Sequence, residues 1–488
     1  MVSKRLKKDF LWLIIGILLF LFLRLPSLFE PFTYGDEGIY LTLGLAIKKG
    51  LTLYKEIHDN KPPLIYLLSA LTGSFSYYRA FLFLWSLLTI FVFYRLNQII
   101  FKNKKIQIFN TFLFLFLSSI HTFEGNIGNA ENFMLLPIIA GFYFYLKAKK
   151  PKDYFLSGLF FALGGLFKIP AVFDFLALIF FSFLLLIDAK KKNLKPFLIL
   201  ITGFITPFLI TFFYFATQNA LVDYLKAAFF QNIPYLASWA PDKATKVVLS
   251  SGFFYSFINR SLTLVLCLGL IFYYRKKISL SLKLILSWFL FSLFAAFLSA
   301  RPYPHYLLQV IPSFSLSAGL ILEKGFKKKI VFPFLSLVFL FFFVYFKFWH
   351  YPNLSYYLNF YQYLLGQKTK EEYFSYFGNH TLSLYQVAEY LQSRTSPEEK
   401  IFIWGNEPSI YALSQRLPVG KYTVAYHILD FQGQKETLEK LAQTPPSFIV
   451  VSSPPINGFP EFFTFLSLHY QKIKTIGPYL LYRLFSPL

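Results

Sequence analysis

The chain reads as a polytopic α-helical membrane protein of about eleven spans, followed by a small α/β domain outside the membrane. Three observations lead there. Of 488 residues, 56% are hydrophobic and 22% aromatic, with 65 Phe. Only 15% are charged, where a soluble domain carries about a quarter. Apolar runs of about 20 residues recur, each long enough to cross a hydrocarbon core roughly 30 Å thick.

The net charge of +24 is no sign of a nucleic-acid partner. The basic residues form short clusters between apolar runs, the positive-inside pattern. With the N-terminus cytoplasmic, spans fall near 10–29, 79–101, 106–122, 131–147, 154–168, 170–187, 196–217, 255–274, 279–299, 306–322 and 330–349. The inner loops then hold Lys102/Lys104/Lys105, Lys147/Lys149/Lys150/Lys152, Lys190/Lys191/Lys192/Lys195, Arg275/Lys276/Lys277 and Lys324/Lys327/Lys328/Lys329. The long apolar stretch 154–187 is divided at Lys168-Ile169-Pro170, because proline breaks a helix and the charge parity requires an even number of crossings. The N-terminus resembles a signal peptide, but Arg24-Leu25-Pro26 replaces a small-residue cleavage site, so a retained first helix is expected. Cys267 is the single cysteine, so no intramolecular disulfide can form.

Residues 1–349 thus read as a transmembrane module with two long outer loops, 30–78 and 218–250. Both are expected to carry short helices in the membrane interface, and Trp239 suits the headgroup level. From 350 to 488 charge rises and Pro and Gly multiply. A helix over Ser383 to Arg394 and strands at Ile401–Trp404 and Phe448–Val451 predict an extracytoplasmic α/β domain.

The candidate chemistry lies on the outer side. Gly35-Asp36-Glu37-Gly38 follows the first span, and adjacent carboxylates at a membrane boundary are functional candidates. One could serve as general base; equally, Asp36 could cap a helix. Lys61-Pro62-Pro63 offers a compact cation for a phosphate before a rigid helix start, or an ordinary snorkelling lysine. Glu124 and Glu131 share a short outer loop with Asn126, Asn129 and Asn132. Glu131 stands at a helix start, whereas Glu124 is expected to be solvated. Arg301, His305 and Tyr306, with Lys168, form a basic and aromatic group suited to a lipid phosphate. The two acidic positions permit a divalent cation without requiring one. Asp174 is the main acidic residue inside an apolar span. A transporter would place its charges near mid-membrane, so the outer cluster favours an enzyme.

Gly35-Asp36-Glu37-Gly38-Ile39-Tyr40 with Lys61-Pro62-Pro63-Leu64 resembles bacterial GT-C glycosyltransferases of the glycosyltransferase family 39 and PMT-2 kind. These are relatives of protein O-mannosyltransferases and of the aminoarabinose transferases that modify lipid A. Asn129-Ala130-Glu131-Asn132-Phe133, Gly164-Gly165-Leu166-Phe167-Lys168, Pro304-His305-Tyr306 and Trp404-Gly405-Asn406-Glu407-Pro408 with Tyr411 extend the likeness over most of the chain. The resemblance implies a GT-C fold and inverting transfer of one sugar from a polyprenyl-phosphate donor to an extracytoplasmic glycolipid, polysaccharide or protein. It implies Asp36 and Glu37 as catalytic carboxylates, and Lys61, Arg301, His305, Tyr306 and Lys168 around the donor phosphate. Glu131 and Asn132 take the second acidic site, and Trp404, Glu407 and Tyr411 are outer-domain candidates. Asn60 stands before Lys61 where the aminoarabinose transferases have an acidic residue, which leaves the acceptor open. The expected location is a multi-pass position in a cell membrane, the bacterial inner membrane, with the site and C-terminal domain outside. No nucleotide-sugar site is expected, since the chain has no Gly-rich phosphate loop. A polymerase or ligase using a lipid-diphosphate donor, and a lipid or sugar flippase, are the alternatives.

Overall fold

The computed structural model describes residues 2–189, 193–233, 251–299, 301–322 and 329–485. Trp239, the outer segment 234–250, and the inner-loop lysines 190–192, 324, 327 and 328 lie outside the described residues. A helix occupies each of the eleven expected spans. Among the described residues, four helices are long and apolar enough to cross a membrane by length and composition: Leu11–Leu28, Phe75–Ile100, Ile169–Asp188 and Lys195–Thr217. Five more, of 10–17 residues, are apolar but shorter.

The chain divides into two compact units. One comprises Met1–Ser27, Leu82–Tyr214 and Phe230–Asn353, and the other Leu28–Phe81, Phe215–Phe229 and Leu354–Leu488. The C-terminal region is therefore grouped with 28–81 and 215–229, segments that the sequence assigns to outer loops of the membrane module.

Among its described residues, the regular structure of the first unit is all helical. Its helix Pro151–Phe167 stops where expected, and Ile169–Ala171 forms a single 3-10 turn before Val172–Asp188 resumes. Lys168 itself is extended (φ −156°, ψ 128°). Proline at 170 lacks the N–H that a continuous helix needs there. The phenylalanine excess becomes stacked ring pairs, such as Phe175 on Phe204 at 3.9 Å and Phe142 on Trp288 at 3.9 Å. Small residues bring helices close. A Cβ on Gly158 would lie 2.6 Å from the Phe204 nitrogen, and one on Gly203 would lie 2.9 Å from the Phe155 carbonyl carbon.

The second unit holds a four-stranded sheet: β1 (Phe402–Trp404), β2 (Phe448–Ser452), β3 (Tyr470–Ile476) and β4 (Tyr479–Leu484), in the order β1-β2-β4-β3. β1 runs parallel to β2, with Phe402 opposite Ile449, and β4 runs antiparallel to β2 and β3. Successive strand side chains point to opposite faces, and here both faces are covered. Phe402, Trp404, Ile449 and Val451 pack with Leu441, Phe462 and Leu466. Ile401, Ile403, Val450 and Leu481 pack with Leu384, Val387, Leu391 and Tyr411. Two buried faces explain why both parallel strands read as unbroken apolar runs.

The same unit contains helices Gly35–Lys48 and Leu64–Thr72. The first lies tightly on helix Ser409–Ser414, since a Cβ on Gly38 would come within 2.6 Å of the Ser409 nitrogen. The His58 N–H donates to the Lys421 carbonyl at 2.8 Å. Trp404 and Tyr411, named above as outer-domain candidates, are buried in the two core clusters. Trp404 Nε1 donates to the Ile456 carbonyl at 2.9 Å, and the Tyr411 hydroxyl accepts from the Ile403 N–H at 2.8 Å. Glu407 is half-buried at the end of β1 and accepts from Ser452 Oγ at 2.7 Å.

The glycine contact in the first unit makes a stability prediction. Gly158→Leu lowers the thermal midpoint of the detergent-solubilised protein, because overpacking a close helix contact costs about 1–3 kcal/mol. An unchanged midpoint in differential scanning fluorimetry would contradict this packing.

Candidate active site

Among the described residues, the charged side chains singled out above fall into one cluster in each unit. In the second unit, helix Gly35–Lys48 starts without a side-chain cap, so Asp36 is not the N-cap that one reading of the sequence allowed. It sits in the first turn, where the helix dipole favours an anion. Its Oδ2 accepts from Tyr40 Oη, one turn on, at 3.0 Å, and its Oδ1 is 3.6 Å from Lys61 Nζ. Its side chain remains 26% exposed.

Glu37 follows 100° around the helix and is fully buried. Arg79 meets it through Nη2–Oε2 at 2.6 Å and through Nε at 3.1 and 3.2 Å. Arg79 Nη1 also donates to the Glu30 carbonyl at 2.7 Å, and its guanidinium lies 4.9 Å from the Phe32 ring centre. Adjacent carboxylates thus receive different surroundings: Asp36 is partly exposed, while Glu37 is buried and paired with Arg79.

Lys61 is clamped through its backbone. Its N–H donates to Tyr66 Oη at 3.1 Å, and its carbonyl accepts from Tyr54 Oη at 2.7 Å. Pro62 and Pro63 then lead into the expected helix. The ammonium lies between Asp36 and a second carboxylate, Asp59, at 3.7 Å. Asp59 is fully buried and accepts from Tyr66 Oη at 2.7 Å and from the Asn60 N–H at 2.8 Å. Burial pushes its carboxyl pKa up, but Lys61, His427 and these two donors outweigh that and hold it below the usual range. Asp59 is not among the residues singled out from the sequence; the signal for it is an acidic residue two positions before a Lys-Pro-Pro step.

His427, on helix Ala425–Asp430, places Nε2 3.6 Å from Asp59 Oδ1. His58 and His427 cross at 6.4 Å between ring centres. Burial pushes both down to about 4, so both are neutral at pH 7.

In the first unit, helix Ala130–Leu146 is capped by Asn129, whose side chain accepts from the Asn132 N–H at 3.0 Å. Asn132 spends its amide on the Ile127 and Glu124 carbonyls at 2.8 and 3.1 Å, so it shapes this loop. Glu131, in the first turn, is buried and ion-paired with Lys168. Lys168 Nζ lies 4.3 Å from the Tyr306 ring centre. His305 bonds Glu124 through Nδ1 and faces Glu131 Oε1 through Nε2 at 3.6 Å. Burial pushes the imidazole pKa down, yet Glu131 and Glu124 outweigh it and raise it above the ordinary value. Glu124 is 4% exposed, not solvated as expected, because the left-handed turn at 124 (φ 52°) folds it inward onto His305. Glu131 Oε2 is buried with no hydrogen-bond partner among the described residues. Arg301 lies partly buried at the head of the same loop, with its backbone N–H 3.5 Å from Ser299 Oγ. Among the described residues, no three His, Cys, Asp or Glu side chains converge as a metal-ligand set.

No protein-family model and no curated protein matches this chain. Solved structures do. The chain is similar to ArnT from Cupriavidus metallidurans bound to undecaprenyl phosphate, at TM-score 0.59 and 13% identity, over 98% of both chains. The same protein without ligand aligns at TM-score 0.57 and 12% identity over 98% of each. The chain is therefore a polytopic membrane protein with the GT-C fold.

Two predictions follow from the second-unit cluster. Glu37→Gln lowers the unfolding midpoint sharply, since breaking a buried ion pair costs about 3–5 kcal/mol, while Asp36→Asn leaves it nearly unchanged; equal midpoints would contradict the division of roles. In the window between pH 6.5 and 4 the unfolded chain takes up protons that the buried His58 and His427 refuse, so stability falls as pH falls, by on the order of 3 kcal/mol per histidine. Thermal unfolding scans across that window should show a shallower decline in a His58→Phe/His427→Gln double variant.

Proposed function

We propose that this protein is a membrane glycosyltransferase that moves one sugar, with inversion, from a polyprenyl-phosphate donor to an extracytoplasmic acceptor. The observation that carries the reading is the reachable Asp36 carboxylate held 3.6 Å from Lys61, in a chain sharing nearly its whole fold with a protein that binds undecaprenyl phosphate. A lipid phosphate is already a competent leaving group, so the chemistry chiefly needs a base for the acceptor and cations for the phosphate.

Asp36 is the proposed base. Lys61 is shared between two carboxylates, which leaves that cluster with excess negative charge suited to accepting a proton from a hydroxyl or amine. A donor phosphate approaching Lys61 would compete with Asp36 for the ammonium and free the carboxylate for the acceptor. Glu37 acts through Arg79 to hold the helix that presents Asp36. Lys168, His305, Tyr306 and Arg301 of the first unit are assigned to phosphate contact, with Glu131 and Glu124 favouring the charged form of His305. Glu131, whose Oε2 has an unused lone pair, is assigned to an acceptor hydroxyl or amine, in a loop fixed by Asn132.

Purified protein given a polyprenyl-phosphate sugar and a panel of glycolipid, glycan and peptide acceptors should release polyprenyl phosphate. Asp36→Asn should lower the release rate by about 10²–10⁴-fold while retaining the wild-type unfolding midpoint. A fully active Asp36→Asn protein would remove the catalytic assignment. Consumption of lipid-diphosphate oligosaccharide instead would indicate a polymerase or ligase, and movement of uncleaved lipid across a vesicle bilayer a flippase. The acidic side chains of both clusters already have cationic or hydroxyl partners, so EDTA is expected to leave release unchanged.

A further inference from the structure

Asp174 lies in the first turn of the helix Val172–Asp188, and the proposed reaction makes no use of it. It is fully buried. A buried carboxylate is costly unless every lone pair it exposes is met. Here two neutral donors meet it: Trp288 Nε1–H on Oδ1 and Gln309 Nε2–H on Oδ2, each at 2.6 Å. Gln309 then donates to the Pro170 carbonyl at 2.8 Å through the same amide nitrogen.

Gln309 and Pro170 belong to the backbone segments that carry the cations of the first-unit cluster. Gln309 closes the 3-10 turn Pro304–Gln309, which carries His305 and Tyr306. Pro170 follows Lys168 by two residues in the break between helices. Lys168 has extended backbone there and no continuous helix to fix it. One amide therefore links the turn bearing His305 to the break bearing Lys168, and Asp174 orients that amide by accepting from its nitrogen. With its nitrogen committed to Asp174 and Pro170, the Gln309 amide has one orientation.

We propose that Asp174 and Gln309 are positioning residues that hold Lys168 and His305 in register, so that both reach Glu131. The idea rests on the proposed function only for its kinetic consequence. The alternative is a hydrogen bond that merely stabilises the core, and the two differ in what His305 senses.

The test uses the full chain in detergent, with ring-¹⁵N-labelled histidine. There are seven histidines, and the His305 signals are assigned by their loss in His305→Ala. Asp174→Asn keeps the shape of the side chain but sets an N–H donor against one of its two donor partners. Gln309→Asn is one methylene too short to span Asp174 and Pro170. Each variant should shift the His305 ring signals while those of His58 and His427 stay in place. Each should also raise KM for the polyprenyl-phosphate sugar by about tenfold or more, as expected for a misplaced binding group. Unmoved His305 signals in whichever variant retains the wild-type His58 and His427 signals would overturn the proposal. Failure of the wild-type protein to release polyprenyl phosphate would overturn the proposed function instead, and the spectra would still decide the positioning role.

Discussion

The reachable carboxylate of the second unit depends on the buried pair between Glu37 and Arg79. A charge taken out of water without a partner costs several kcal/mol even after relaxation, so Glu37 at 0% exposure would be untenable alone. Arg79 supplies a fork of donors and spends the remaining N–H groups on the Glu30 and Pro31 carbonyls. Those contacts tie the helix Gly35–Lys48 to the chain before it and to the start of the helix Phe75–Ile100. With Glu37 pinned inward, helix geometry alone sets where Asp36 points. The pair thus serves specificity of placement more than net stability.

The same economy of charge recurs in the first unit. Glu131 and Glu124 are buried, and the cations that neutralise them, Lys168 and His305, come from a helix break and a short 3-10 turn. Such segments leave backbone groups outside regular helix and therefore need side-chain ties. Proline-rich sequence makes both: Pro170 ends one helix, and Pro302 and Pro304 frame the other loop. Rigid, irregular backbone buried within protein is how a helical membrane fold can present a polar group without exposing unpaired amides to lipid.

The helical part of the fold was legible because apolar length and basic clusters are one-dimensional signals. All eleven spans hold helices, and the break at Lys168-Ile169-Pro170 is present. The two strands buried on both faces were also readable, as apolar runs. The hairpin Tyr470–Leu484 was not, because β3 is an edge strand whose exposed Gln471, Lys472 and Lys474 show no apolar alternation. Of the candidate site, Asp36, Lys61, Glu131, Lys168 and His305 could be named from residue type and position. Asp59 and Glu124 could not be weighed correctly, since burial of a loop carboxylate is decided by distant partners, His427 for one and His305 for the other. Burial was equally illegible for Trp404 and Tyr411, residues of a family-like motif that pack into the core on opposite faces of the sheet.

The glycines flanking the acidic pair complete the physical account of that motif. Gly38 leaves no room for a side chain, because Ser409 of the C-terminal region fills the space where its Cβ would be. Gly44, six residues on, is equally closed off by Ala70, whose nitrogen would lie 2.6 Å from a Cβ there. The helix is therefore gripped on one side by the α/β region and on another by the helix that follows Lys61-Pro62-Pro63. Asp36 lies in the first turn of the gripped helix, and Lys61 lies just ahead of Pro62-Pro63, which lead into the helix that packs on it. Their 3.6 Å separation is thus a consequence of glycine-mediated backbone packing as much as of charge attraction. A pair held by packing need not collapse when one partner is drawn away, which is the property required if a phosphate is to take Lys61 from Asp36 and give it back.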